Sequence, residues 1–445
     1  MSRHPVRSPF VRRSVVIGLG AVLAVTGSAI SAPAAPSAER PPPGAEAPSV
    51  RADEERDGSG WRHRSVRFAT FNASLNRSAA GELVADLSTG GDEQARNVAE
   101  TIQRSRPDVL LVNEFDYDQD ERAVDLFRDN YLEVPQRGAR PVHYRYAYAA
   151  PVNTGVPSGH DLNNDGTVGG GDDAFGFGFY PGQYGMVVYS RYPIQTRSVR
   201  TFQRFLWKDM PGAMLPDDPA TPAPADWYSA EELDDVRLSS KSHWDVPIRL
   251  GRRTVHFLVS HPTPPVFDGP EDRNGTRNFD EIRFWADYVS ARWWQPRHRS
   301  AYIYDDRGRR GGLRPGAPFV IAGDQNSDPL DGDSIPGAIQ QLLEHPRVNA
   351  WRAPTSRGAV EASELQGGAN QTHESDPRYD TADFADTQPG NLRADYVLPS
   401  RALRICRAAV FWPTTDDPLY RLTGSFPPPT SDHRLVWVDV RLGHR

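Results

Sequence analysis

Residues 319–328, FVIAGDQNSD, combine an apolar run with polar side chains at its end. The run predicts a buried strand, and Gly323 is expected to end it. Asp324 and Asn326 then follow where the chain leaves the sheet. Because ligands bind at the strand exits of open α/β sheets, a carboxylate close to a carboxamide at this point indicates a polar functional site. The alternative is an Asx turn that only closes the strand, since Asp and Asn are common in such turns.

Polar residues also stand beside five other predicted strands. They are Asn72, Glu114, His261, Asp395, and the pair Asp432 and His433. Taken singly, Glu114 could be an exposed loop acid and His261 a structural histidine. Their shared position at strand ends favours one common site. The many strands, interspersed with helices predicted at 93–106 and 276–293, indicate one α/β domain with two packed sheets.

Four motifs carry a family resemblance. They are GMVVYSRYPI at 185–194, GDQN at 323–326, RADYVL at 393–398 and SDH at 431–433. In this order and strand context, they resemble the endonuclease/exonuclease/phosphatase (DNase I-like) superfamily, and the resemblance covers residues 62–445. It implies a four-layer α/β/β/α sandwich of two packed mixed β-sheets flanked by helices. It also implies a metal-dependent hydrolase that cleaves phosphoester bonds by in-line attack of an activated water.

The resemblance implies a metal site made of oxygen ligands. Glu114 matches the principal metal ligand, Asn72 lies beside it, and Asp432 helps to place the metal. Oxygen donors suit hard divalent ions, so Mg²⁺ is the expected ion and Mn²⁺ could replace it. No Cys or clustered His suggests zinc. A hard cation there would offset the charge of a phosphodiester and stabilise the leaving oxygen.

The same resemblance gives roles to five catalytic residues. Asp324 would orient and deprotonate the attacking water, because a carboxylate beside a water can act as a base. Asn326 would hold the phosphate. His261 and His433 would donate to the non-bridging oxygens and so stabilise the charge of the transition state. Asp395 would pair with His433 and fix the orientation of its imidazole.

The sequence DLNNDGTVGGGD at 161–172 has the spacing of a calcium-binding loop. The predicted oxygen ligands are Asp161, Asn163, Asp165, Thr167 and Asp172. Gly at position six and an apolar residue at position eight fit the same pattern, while Asp replaces the usual Glu at position twelve. The alternative is a Gly/Asp-rich surface loop, since no amphipathic helix flanks it. We predict a structural Ca²⁺ site within an insertion at 151–180.

The N-terminus is predicted to be a secretory signal. Residues 1–34 contain a basic start, a short apolar run and then small residues, which is the order of a signal peptide. The run is too short for a membrane span, and Arg12-Arg13 leaves the Sec and twin-arginine routes both open. Residues 35–61, rich in Pro and Ala, are predicted to be a disordered leader. The protein is therefore expected to be secreted, with its catalytic domain at 62–445.

The charge balance limits the binding partners. The 445 residues carry a formal charge of −7, and residues 1–34 contain four Arg and no acid, which leaves −11 for the remainder. An acidic protein is a poor candidate for sequence-independent coating of nucleic acid, but a divalent metal in a site would still permit a nuclease. Cys406 is the single cysteine, so no intramolecular disulfide can form. It is expected to be a buried structural thiol.

The sequence leaves the substrate open. A nuclease is the first choice, by analogy with other exported proteins that carry this set of residues. The alternatives are a phosphomonoesterase and an inositol or lipid phosphodiesterase, and no obligate protein partner is implied. A protein of another class, a calcium-stabilised binding protein on an inactive scaffold, is disfavoured because all eight site positions hold chemically competent residues.

Overall fold

The structure, a computed structural model, describes residues 65–290, 299–425 and 427–442. The predicted signal peptide and leader lie outside the described residues. No helix of the described part is both long and apolar enough to cross a membrane.

Thirteen strands are found in the described residues. They are β1 (Val66–Leu75), β2 (Val109–Phe115), β3 (Tyr146–Tyr148), β4 (Met186–Ser190), β5 (Arg200–Thr201), β6 (Trp244–Leu250), β7 (Arg253–Val259), β8 (Phe319–Asp324), β9 (Ala382–Asp383), β10 (Asn391–Leu392), β11 (Asp395–Pro399), β12 (Leu403–Val410) and β13 (Val436–Leu442).

Seven α-helices connect or cover these strands in the same part of the chain. They are α1 (Glu82–Leu87), α2 (Glu93–Ser105), α3 (Arg122–Phe127), α4 (Ala230–Leu233), α5 (Arg273–Tyr288), α6 (Gln340–Leu343) and α7 (Arg357–Gln366). Short 3-10 helices span Thr196–Ser198, Trp207–Asp209, Gly368–Thr372, Pro377–Tyr379 and Pro418–Leu422, and a π-helical turn spans Arg128–Leu132.

The strands form two large mixed sheets. The first has the order β12-β13-β1-β2-β4-β3, and the second has the order β11-β8-β7-β6-β5. Each sheet contains one parallel pair, β1 with β2 and β7 with β8, and its other pairs are antiparallel. Each parallel pair is joined through helices, α1 and α2 in one case and α5 in the other, as parallel neighbours require. Strands β9 and β10 form a separate antiparallel pair.

Three apolar clusters hold four layers together. Between the sheets, the rings of Phe68 and Phe257 approach to 5.4 Å between centroids. The outer face of the first sheet packs against helices, and Ile102 of α2 is part of this contact. The outer face of the second sheet packs against Trp285 of α5. Both faces of the central strands are buried, which explains their nearly continuous apolar sequences. The predicted α/β/β/α sandwich is confirmed.

Two local predictions need correction. The amphipathic helix expected at 276–293 begins at Arg273 and ends at Tyr288, where the Val289 amide donates to the Trp285 carbonyl at 3.0 Å. Cys406 is half-buried rather than buried, because it lies where the pairing of β12 with β13 shifts register.

Candidate active site

The ends of β1, β2 and β8 meet at one polar cluster. Asn72 of β1 donates from Nδ2 to Glu114 Oε1 at 2.9 Å and to Asp324 Oδ2 at 3.1 Å. Since β1 and β2 belong to the first sheet and β8 to the second, this one amide bridges the two sheets. The positions that the sequence singled out separately are therefore in contact.

A second group of contacts forms around His433. In the antiparallel pair of β11 and β8, Asp395 lies directly opposite Asp324. His433 Nδ1 is 2.8 Å from Asp395 Oδ2, and its Nε2 is 3.5 Å from Asp324 Oδ2. Thr381 Oγ1 donates to the same Asp395 oxygen at 3.0 Å. Burial opposes protonation of His433, but the charges of Asp395 and Asp324 outweigh it and raise the pKa of His433 well above its ordinary value.

The two histidines differ in their electrostatics. His261 Nε2 lies 3.4 Å from Asp324 Oδ2, and its buried Nδ1 has no hydrogen-bond partner among the described residues. Burial lowers the pKa of His261 well below its ordinary value, and the positive charges of Lys241 and His433 add to this effect. His261 is therefore neutral at physiological pH while His433 carries a proton on each nitrogen.

The side chain of Asp324 both closes the strand in an Asx turn and faces the polar cluster, so both interpretations of this segment hold. Its Oδ1 accepts from the Asn326 amide at 2.8 Å, which is the Asx-turn contact, and Asn326 adopts a φ of +50°. Its Oδ2 faces Asn72 and both histidines. Burial raises the pKa of Asp324 to about 7, against the opposing charge of His433. The turn thus fixes one oxygen and leaves the other within the cluster, as a base needs.

Asn326 lies at the edge of this cluster. Its Nδ2 donates to the Pro262 carbonyl at 3.1 Å, and the residue lines the cleft above the cluster. The contact joins the chain after β8 to the chain after β7, where His261 is found.

Two of the predicted metal ligands, Glu114 and Asp432, are carboxylates at the cleft. Glu114 has a φ of +55°. Burial raises the pKa of Glu114, and the negative charge of Asp432 raises it further. Two carboxylates that repel each other are oxygen donors of the kind that Mg²⁺ prefers, and a cation between them would relieve the repulsion. The Asn72 amide turns its nitrogen to Glu114, and its oxygen accepts from the Ser74 amide at 3.2 Å.

A tighter cluster is formed by Asp324, Asp395 and His433, whose ligand atoms all lie within 4.8 Å of one another. This cluster could also hold a metal ion. His433, however, directs its nitrogens at the two carboxylates, and those charges favour its protonated form. Glu114 and Asp432, the metal ligands that the family resemblance implies, line the same cleft as this cluster.

Sequence reasoning missed two buried charged residues here. Lys241 precedes β6 and lines the cleft. Burial lowers the pKa of Lys241, while the charges of Glu281 and Glu114 oppose this shift. Glu281 of α5 accepts from the Ser240 amide and from the Thr263 amide, both at 2.7 Å. It therefore ties together the segments that carry Lys241 and His261.

The loop at 161–172 is closed by its own side chains. Asp161 accepts from the amides of Asp165 at 3.1 Å and Gly166 at 2.8 Å. Asp165 accepts from the Thr167 amide at 2.8 Å, and Asn163 Oδ1 accepts from the Asp165 amide at 3.1 Å. These contacts give the compact loop that the spacing indicates, and Ca²⁺ binding by it stays a prediction.

The twelfth position of that loop differs from expectation. Asp172 is exposed, and its Oδ1 lies 3.8 Å from the Arg273 guanidinium. Asp173 is buried instead and accepts from the amides of Leu162 and Gly169, each at 2.7 Å. The inward-facing acid is therefore Asp173, the residue after the twelfth position that the spacing indicates.

A family sequence model matches most of the chain. Residues 69–433 match the sequence model of the Endonuclease/Exonuclease/phosphatase family. No curated protein matches the chain. Among similar solved structures is an endonuclease/exonuclease/phosphatase from Beutenbergia cavernae, with 18% identity and a TM-score of 0.45 over 86% of this chain and 72% of that one.

Two other similar structures have narrower names. Sphingomyelinase C from Streptomyces griseocarneus is 13% identical with a TM-score of 0.41, and the match covers 84% of this chain and 99% of that one. The catalytic domain of human Nocturnin is 14% identical with a TM-score of 0.40, and the match covers 86% of this chain and 95% of that one. The family match, which spans most of the chain, is decisive: the chain belongs to the endonuclease/exonuclease/phosphatase family and is a metal-dependent phosphoester hydrolase.

Proposed function

We propose that the chain is a secreted, Mg²⁺-dependent phosphodiesterase in which a water attacks phosphorus in line with the leaving oxygen. The observation that carries this proposal is the environment of Asp324. It is buried, its pKa is raised to about 7, and one of its oxygens faces Asn72, His261 and His433. A carboxylate in this state is suited to accept a proton from water near neutral pH.

The other residues of the cluster have complementary roles. His433, protonated and held by Asp395, donates to a non-bridging oxygen of the phosphate and meets the charge that develops there. Neutral His261 donates from Nε2, and Lys241 adds positive charge at the same wall of the cleft. A divalent cation held by Glu114 and Asp432 would offset the charge of the bound phosphate.

Nucleic acid is the first choice of substrate from the sequence. The cleft, however, offers few free positive charges to bind its phosphates. Arg277 donates to the backbone carbonyls of Leu238, Arg237 and Phe175, and Arg273 is paired with Glu271. The same cleft is lined by several acids. They are Glu114, Asp172, Asp324, Asp328, Asp333 and Asp432. Because binding of a polyanion depends on free Lys and Arg, these walls favour the second candidate, a lipid or another organic phosphodiester.

The test is a panel of substrates incubated with the purified chain in Mg²⁺, Ca²⁺ or EDTA. The panel contains plasmid DNA, RNA, bis-p-nitrophenyl phosphate, p-nitrophenyl phosphate, inositol phosphates and sphingomyelin. We expect hydrolysis of diesters in Mg²⁺ and none in EDTA. Plasmid nicking would instead support the nuclease. Release of phosphate only from monoesters would support the phosphatase, and inactivity on every substrate would leave the calcium-stabilised binding protein.

A further inference from the structure

Phe267, in the segment between β7 and α5, combines two unusual properties. Its side chain is 84% exposed, and its φ is +67°. A positive φ costs a bulky residue conformational free energy. An apolar side chain exposed to water also lacks the stabilising free energy that burial would give it. Such strain is retained where the surrounding structure imposes it, which is common at ligand sites.

The backbone around Phe267 is held on both sides. Asn274 donates from Nδ2 to the Val266 carbonyl at 2.7 Å, and its amide donates to Asp268 Oδ2 at 2.7 Å. One residue of α5 thus fixes the two neighbours of Phe267. The ring is therefore presented at the cleft, which it lines together with Pro264, Pro265 and Val266.

A second exposed aromatic ring lines the same cleft from the 151–180 insertion. Phe177 is 49% exposed and packs edge-on against Phe179, with 5.4 Å between the ring centroids. Gly171 lies under the Phe177 ring so closely that a Cβ there would come within 3.0 Å of it. The insertion is also anchored beside the catalytic residues, because Gly176 packs on the Ser240 carbonyl, next to Lys241. This ring too has a fixed position.

The apolar surface is continuous with the catalytic cluster. Phe384 lines the same cleft and packs edge-on against the His433 ring, with 5.3 Å between centroids. The cleft has a volume of about 990 Å³, which exceeds what a phosphate group alone occupies. The cleft therefore has room for a phosphate at the polar cluster together with an apolar portion beside the aromatic rings.

We propose that Phe177, Phe267 and Phe384 form a subsite for an apolar organic group esterified to the phosphate that the polar cluster binds. This inference rests on the phosphodiesterase function proposed above and narrows its substrate. Burying one aromatic ring against such a group changes the specificity constant on the order of tenfold. Free phosphate or a diester with small groups gains none of this contact.

The test compares two diesters that share one leaving group, bis-p-nitrophenyl phosphate and methyl p-nitrophenyl phosphate. Wild type, Phe177→Ser and Phe267→Ser are assayed, with Trp351→Ser as the matched control. Trp351 is 74% exposed and does not line the cleft. We expect each Phe variant to lower the ratio of kcat/KM for the two substrates on the order of tenfold. The control should keep the wild-type ratio. An equal loss on both diesters, or no loss on either, overturns the subsite.

Two further measurements distinguish a failure of the proposed function from a failure of the subsite. If wild type hydrolyses neither of these diesters nor any substrate of the panel above, the proposed function fails, and calorimetric titration with dihexyl phosphate and diethyl phosphate then judges the subsite alone. Tighter binding of the dihexyl compound that Phe267→Ser abolishes supports the subsite, and equal binding overturns it. Monomeric dihexanoylphosphatidylcholine and dioleoylphosphatidylcholine vesicles distinguish the sources of the apolar group. A loss in the variants on both supports the subsite, whereas a loss on vesicles alone means surface docking and overturns it.

Discussion

The polar and apolar ends of the cleft are built in different ways. At the polar end, His261, Asp324, Asp395 and His433 are all buried and lie at strand ends of the two sheets. At the apolar end, the rings stand on loops, where Phe267 is 84% and Phe177 49% exposed and Phe384 is half-buried. Rigid strands suit a reaction whose groups must be placed accurately, while loops can vary with the substrate. The difference indicates that the reaction is set by the fold and its specificity by the loops.

The largest effect is expected from Asp324→Asn at the polar end. The substitution keeps the shape but removes the base, so kcat should fall by about 10²–10⁴-fold. Steady-state kinetics on bis-p-nitrophenyl phosphate in Mg²⁺ measures this fall, and Asp129→Asn, at an exposed ion pair with Arg128, is the matched control. Circular dichroism should show the same fold in all three proteins.

Unchanged turnover in Asp324→Asn would mean that another group takes the proton from water. The contrast between the two ends would then lose its basis, since the buried carboxylate would be structural. A loss confined to KM would instead place Asp324 in substrate binding.

A smaller effect is expected in the loop that supports the apolar end. If residues 161–173 bind Ca²⁺, the double variant Asp161→Ala/Asp165→Ala should lower Tm by about 3–6 °C in Ca²⁺ and much less in EDTA. Asp129→Ala is the matched control, because this acid is exposed and lies outside the loop. Differential scanning fluorimetry with and without Ca²⁺ measures both. Equal losses in Ca²⁺ and EDTA would show that the loop binds no ion.

The polar end was largely predictable because each residue follows or precedes an apolar run. A run such as 319–322 fixes the strand, and the strand fixes where Asp324 leaves the sheet. The register of the paired strands then brings the residues together, since Asp395 lies directly opposite Asp324. Sequence order and strand context therefore contained most of this site.

Other contributions depend on tertiary contacts that leave no local pattern. Lys241 reaches the cleft from the segment before β6, and Thr381 contacts Asp395 from a segment without periodicity. Helix α7 was missed for the same reason, since few of its side chains are buried. Asp173 rather than Asp172 faces inward because it accepts from the amides of Leu162 and Gly169, which are contacts within the folded loop. The exposed rings were unpredictable because an exposed Phe and a core Phe look alike in a sequence.

Asp380 differs from the buried acids at the polar end of the cleft, because no positively charged group in the described part of the chain offsets the effect of its burial. Its Oδ1 has no hydrogen-bond partner among the described residues. Burial raises the pKa of Asp380 to about 9, and the neighbouring charges of Asp328, Asp331 and Asp376 contribute. Asp395, whose amide donates to Thr381, the residue after Asp380, is paired with His433 instead. Pairing, rather than burial alone, thus separates the catalytic acids from this one.

The raised pKa of Asp380 makes the folded state less stable as pH rises. The unfolded chain releases the Asp380 proton near pH 4, whereas the folded chain keeps it up to about pH 9, so this group stabilises the fold less and less as pH rises between these values. Asp380→Asn removes the ionisation and should raise Tm by about 2–4 °C at pH 8 but hardly at all at pH 4. Thermal unfolding at both pH values measures the difference, with exposed Asp333→Asn as the matched control. A lower Tm at pH 8 would mean that the carboxylate is held by a favourable partner, and the distinction between paired and unpaired acids would fail.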